Sequence, residues 1–255
     1  MNFFFGIKNS LLSCNLTIPK FQHSGKVLSD CNLYEAFPEN NVWIINQINC
    51  DQDKFFFFLN NTLIDNNKIF FIAKKDETKS LQFKRSELLD INQFTNTTLS
   101  AFRSNLEIYI QDKGFSSYQS EYPFDMIKRN GSILSPVDML LDKESDKNFI
   151  FFKNIYFKPE QKKSKLYFIN FKTKEIIKQV EIKENYLNEI EIDKEYISKE
   201  IYIYTEKLLG IPLYVSVKNS HISFEHTQPP HHYILSDDRH KIVTRIKNEF
   251  KNITN

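Results

Sequence analysis

Short apolar runs broken by polar turns dominate the chain, and they limit its fold more than any other feature. Residues 55–59 and 68–72 are two such runs, joined by the turn-rich stretch 60–67. Short runs rich in aromatic and β-branched side chains, bounded by Asn, Asp and Ser, are strand signals. Others follow at 81–83, 106–110, 149–152, 166–169, 176–182, 190–192, 201–204 and 213–217. Spacings of about eight to twelve residues between strands mark sandwiches and barrels. The expected fold is therefore mainly β, as one or two β-sandwich-like units with short helices. The 24 Phe supply the large apolar faces that such units bury.

Two stretches align as a tandem duplication. Residues 68–73, 81–84 and 88–91 match 165–170, 180–183 and 187–190 with one small insertion, and each set continues into an alternating run, 106–110 or 201–204. Two similar units in tandem would produce this, and so would chance likeness between strand-rich segments. The charged stretch 142–148 lacks apolar residues and is the expected boundary. This divides the chain into a β-rich unit, 1–142, a sandwich-like unit, 143–235, and a C-terminal helix, 236–255. A length of 255 residues suits one large or two small domains.

Two helices are expected. At 135–141, Ser135 would be the N-cap, Pro136 would occupy the first helical position, and Asp138 would face the positive end of the dipole. Near the C-terminus, Ile242, Val243, Ile246 and Phe250 fall at helical spacing among Arg and Lys. Such an amphipathic helix docks its apolar stripe on a sheet, or else serves a partner or a membrane surface.

Several function classes are disfavoured. With 5 Gly, the chain has no dinucleotide-binding or P-loop glycine pattern. A net charge of +2 leaves no electrostatic footprint for nucleic acid. Cys14, Cys31 and Cys50 are odd in number and form no C-x-x-C, which favours free thiols in a reducing compartment. No signal peptide and no run of 18 apolar residues is recognised, so the expectation is a soluble, cytoplasmic protein. Exposed strand edges and abundant Phe are compatible with a homo-oligomer.

Titratable side chains concentrate in one place. Five of the six histidines lie within residues 221–240. If 221–226 is a strand, His221, Ser223 and Glu225 share one face, while Ile222, Phe224 and His226 share the other. At about 3.3 Å per residue, His221 and Glu225 are about 13 Å apart, too far to bind one metal. A site here requires the Pro229-Pro230 segment to bring His231 or His232 back towards Glu225 and His226. That grouping could bind a divalent metal through His226, His231 and His232, or act as acid and base. The plainer reading is a structural cluster.

A second polar concentration lies at 114–126. It holds Tyr118, Glu121 and Tyr122 among Ser and Gln, a mixture suited to carbohydrate or peptide recognition, or else an irregular surface loop. His23 is isolated. No serine-nucleophile motif is present. The leading expectation is a non-enzymatic binding or structural module for a small molecule, sugar or protein, with Tyr118, Glu121, Tyr122, Glu225 and His226 at its ligand surface. The competing expectation is a metal-assisted or acid–base hydrolase using the His-rich corner. If the duplication holds, Glu121 and His226 would face each other across a domain interface.

Overall fold

The computed structural model describes residues 2–22, 24–74, 82–91, 103–110, 113–128, 131–206, 210–226, 230–232 and 234–255. The chain divides into two compact units. Unit 1 comprises Met1–Arg129, Ile155–Gln161 and Asn185–Leu187, and unit 2 comprises Asn130–Asn154, Lys162–Glu184 and Asn188–Asn255. The stretch 142–148 is a turn leading into a strand of unit 2, held by its own side chains. The Asp142 carboxylate accepts from the Glu144 amide, and the Asn148 side chain donates to the Asp142 carbonyl.

Unit 1 has two main sheets among the described residues. The larger runs β10 (Lys113–Ser120), β9 (Ser104–Ile110), β2 (Ser13–Pro19), β6 (Phe56–Leu59) and β5 (Asp51–Gln52) from edge to edge. The smaller runs β7 (Ile69–Lys74), β3 (Cys31–Glu39), β4 (Val42–Gln47) and β8 (Gln82–Arg85). A short pair, β1 (Asn2–Phe3) and β11 (Tyr122–Pro123), completes it.

Unit 2 also has two sheets. One is ordered β12 (Ile133–Pro136), β17 (Ile201–Thr205), β14 (Lys163–Asn170) and β15 (Ile176–Lys183). The other is ordered β16 (Leu187–Glu191), β13 (Lys147–Lys153), β18 (Leu213–Lys218) and β19 (His221–His226). Apart from β16 with β13, these neighbours pair antiparallel. The single described α-helix, α1, spans Arg239–Thr254.

The mainly β expectation holds, with a helix near the C-terminus, but the sheets do not form the expected sandwiches. Burial supplies the physical reason. Each sheet of a two-layer sandwich buries one face, so its strands alternate buried and exposed. β2 and β9 do alternate, but Trp43–Ile45 of β4, residues 69–73 of β7, 149–153 of β13 and 213–217 of β18 are buried on both faces. Period two marks a half-buried strand; a strand covered on both sides reads as a continuous apolar run.

In unit 2, Leu166, Phe168, Ile182 and Ile203 of one sheet share a core with Ile150, Phe152, Ile190 and Tyr214 of the other. The Tyr214 hydroxyl crosses this core to donate to Ser135 Oγ at 2.8 Å.

The stretches aligned as a duplication do not take equivalent places. β14 pairs directly with β15, whereas β3 and β4 lie between β7 and β8. Leu88–Ile91 is a 3-10 turn, while the aligned residues 187–190 lie in strand β16. The likeness is one of strand composition.

Two other expectations need correction. The helix expected at 135–141 is strand β12 followed by a turn. Pro136 fits there because β12 is an edge strand, where a missing N–H is tolerated. The polar segment 114–126 is not an irregular loop. Pairing with β9 makes most of it strand β10, overriding the low strand propensity of Ser and Gln. The remainder is β11 and a 3-10 turn, Phe124–Lys128. Among the described residues, no helix is long and apolar enough to cross a membrane.

Candidate functional site

The polar groups of unit 1 converge on the outer face of the five-stranded sheet. Strand register sets which residues meet there. Gln119 of β10 lies opposite Asn105 of β9, Asn105 opposite Thr17 of β2, and Thr17 opposite Phe58 of β6. Side chains alternate along each strand, so this row points away from the buried face that carries Leu16, Ile18, Leu106 and Ile108. The next outward row, one pleat on, contains Pro19 opposite Phe56.

After β2 the chain doubles back in a small hairpin. Phe21 and Val27 form a β-bridge, and the Gln22 amide donates to the Lys26 carbonyl at 2.9 Å. Gly25 turns the corner at φ +78°, a conformation that L side chains resist. Phe21 stacks on Phe55 at 6.0 Å with 8° between ring planes, and meets the Phe56 ring edge-on at 6.1 Å. The hairpin thus raises an aromatic wall beside the sheet.

Wall and sheet face enclose a groove of about 490 Å³ lined by Thr17, Pro19, Phe21, Gly25, Phe56, Arg103, Asn105 and Gln119. That volume lies in the range of small-ligand sites. Among the described residues, the side chains of Thr17, Asn105 and Gln119 have no hydrogen-bond partner within the protein, so they are available to a ligand. Arg103 Nε donates to the Glu121 carboxylate at 3.2 Å, and Asn2 Nδ2 donates to the same carboxylate at 2.8 Å.

The site residues expected in this region separate on the structure. Glu121 reaches the groove only through Arg103. Tyr118 lies opposite Leu106, in the row that faces the other side of the sheet. Tyr122 is core: it is 1% exposed, and burial pushes its hydroxyl pKa up. The groove residues themselves were legible only in part. Gln119 lies in the polar segment, but Thr17, Phe21, Asn105 and Arg103 come from other stretches. Only the antiparallel register brings them together.

The His-rich corner belongs to unit 2. Strand β19 spans His221–His226 with the expected faces: His221, Ser223 and Glu225 are exposed, and Phe224 is buried. His226 is half-buried opposite Leu213, and its backbone amide donates to the Glu225 carboxylate at 3.2 Å. His231 and His232 lie in a 3-10 turn, Pro230–His232. Their rings meet edge-on at 4.5 Å, and His231 also packs on His240, from the first turn of α1, at 4.8 Å.

The third member of this cluster is thus His240, which strand periodicity could not select because it stands on a helix. Desolvation lowers the His231 pKa, as do the positive neighbours His232, His240, Arg239 and Lys247. Among the described residues, no group of three His, Cys, Asp or Glu side chains is placed to hold a metal ion. Residues 227–229, and so half of the Pro229-Pro230 segment, lie outside the described residues, as does His23. Glu121 and His226 fall in different units.

The described cysteines are unbridged. Cys14 and Cys31 are buried, and burial pushes the Cys14 thiol up to about 12, which leaves it protonated and inert at neutral pH. No protein-family model, curated protein or solved structure matches the chain.

Proposed function

We propose that unit 1 is a non-enzymatic binding module whose ligand, a carbohydrate or a peptide, lies in the groove over the five-stranded sheet. One observation carries this reading: an aromatic wall faces a row of side-chain hydrogen-bonding groups across a space of ligand size. Such sites combine apolar surface for affinity with a few placed polar groups for orientation. The described lining residues offer ring faces, amides, a hydroxyl and a guanidinium. These are suited to holding a molecule rather than to supplying a nucleophile and a base.

Backbone amide shifts of the full chain provide the test, recorded against a mixed library of oligosaccharides and short peptides. The expected result is a ligand whose perturbations centre on Thr17, Phe21, Asn105 and Gln119. Ligands that perturb only other surfaces would sink the reading.

A further inference from the structure

We infer that the groove is built for a neutral, hydroxyl-rich saccharide. This rests on the binding-module reading and narrows it to one ligand class, on three observations.

The first is where the groove lies. A peptide that joins a sheet does so at an edge, through backbone groups left unpaired there. Asn105 and Thr17 stand on β9 and β2, interior strands hydrogen-bonded on both sides, and edge strand β10 adds Gln119 to the floor. Recognition over β9 and β2 must come from side chains.

The second is the chemistry of those side chains. Asn105 and Gln119 each present an amide with two donors and an acceptor, and Thr17 presents a hydroxyl that can do either. Adjacent strands are about 4.8 Å apart, so the row Gln119, Asn105, Thr17 spans about 10 Å. A run of ring hydroxyls, each both donor and acceptor, matches that row. A purely apolar ligand would strip water from the amides and return nothing, a loss of about 1–3 kcal/mol for each unsatisfied group. The Phe21 and Phe56 rings supply faces on which the C–H face of a sugar ring can lie.

The third is charge. Arg103 is the one ionisable side chain among the described lining residues, and Glu121 already pairs with it. The pair offers directed N–H donors with little net field to attract an anion. Glu121 is accordingly a positioning residue: it aims the guanidinium and cancels its charge.

The test is calorimetric titration of the full chain with three panels: neutral oligosaccharides of several sugars and linkages, uronic-acid oligosaccharides, and short peptides. The expected result is binding of a neutral oligosaccharide whose Kd moves less than about twofold between low and high salt. Gln119→Ala, Asn105→Ala and Phe21→Ala should each weaken it about tenfold, and Asn248→Ala on helix α1 should not change it.

Glu121→Gln provides a readout that a merely structural role would not move. It should leave neutral binding within about threefold and add salt-sensitive binding of uronic-acid oligosaccharides. A peptide or a uronate as the preferred ligand of the wild-type groove, with the same dependence on Phe21 and Gln119, would overturn the saccharide inference and leave the binding module standing. No ligand from any panel depending on those side chains would overturn both.

Discussion

Each unit contains one sheet whose inner face is core, and the two outer faces have opposite fates. In unit 2 the outer face carries Leu134, Tyr167, Ile169, Tyr202 and Tyr204, and helix α1 lies across it with Val243, Ile246, Phe250 and Ile253. Phe250 is fully buried and meets the rings of Phe171, Tyr202 and Tyr204 edge-on at 6.2, 6.5 and 5.7 Å. In unit 1 the outer face interleaves Thr17, Asn105 and Gln119 with exposed rings such as Phe58 and Phe115. A contiguous apolar face gains from a cover in proportion to the area it hides. A face already spaced with amides and hydroxyls gains less from an apolar cover, and keeps room for a ligand that satisfies them.

The largest effect should come from removing the cover's anchor. Phe250→Ala should destabilise unit 2 by about 3–5 kcal/mol, seen as a lower denaturation midpoint. Phe58→Ala, a ring of similar size on the open face and 39% exposed, should cost about 1 kcal/mol or less. Equal costs would break the comparison.

Next in size is Tyr214→Phe, beneath the covered sheet. It removes the hydroxyl that bonds Ser135 and the Pro136 carbonyl, at an expected cost of about 1–2 kcal/mol in the same measurement.

A smaller effect concerns pH at the start of the covering helix. His231 has a folded pKa below its ordinary 6.5, first through burial and then through His232, His240, Arg239 and Lys247. As pH falls through 6.5 the unfolded chain takes up the proton first, so the folded state loses stability, and the loss is complete once pH is below the folded pKa. Above that window this group contributes nothing to the slope. Unfolding midpoints measured from pH 7.5 downward should fall less steeply in His231→Gln than in the wild type. An identical slope would remove His231 from the account.

The smallest effects should be on the open face. Thr17→Ala, Asn105→Ala and Gln119→Ala should each alter stability by no more than about 0.5 kcal/mol, since these side chains have no partner within the described protein. A larger loss would mean that they serve the fold rather than a ligand.

The residues reveal some of this unaided. Aromatic and β-branched runs between polar turns locate β6, β7, β9, β13, β14, β15, β17 and β18 within a few positions, because a half-buried strand must alternate or run apolar. The same logic locates β19 and divides its histidines between two faces. Helix α1 is legible from Val243, Ile246 and Phe250, one face of a 3.6-residue period. By contrast, β10 is hidden because Ser and Gln form a strand there only with β9 as partner. Pro136 reads as a helix start until β12 is known to be an edge.

The groove shows the limit most clearly. Thr17, Asn105 and Gln119 are scattered over a hundred positions, and no local signal joins them. What the amino-acid order determined by itself was the alternation: a mainly β chain whose strands have a wet side and a dry side, closed by an amphipathic helix. What only the tertiary structure decided was which wet sides meet and which face is covered. Strand register is a non-local pairing, and a shift of one residue would turn the amide row of the groove to the other side of its sheet.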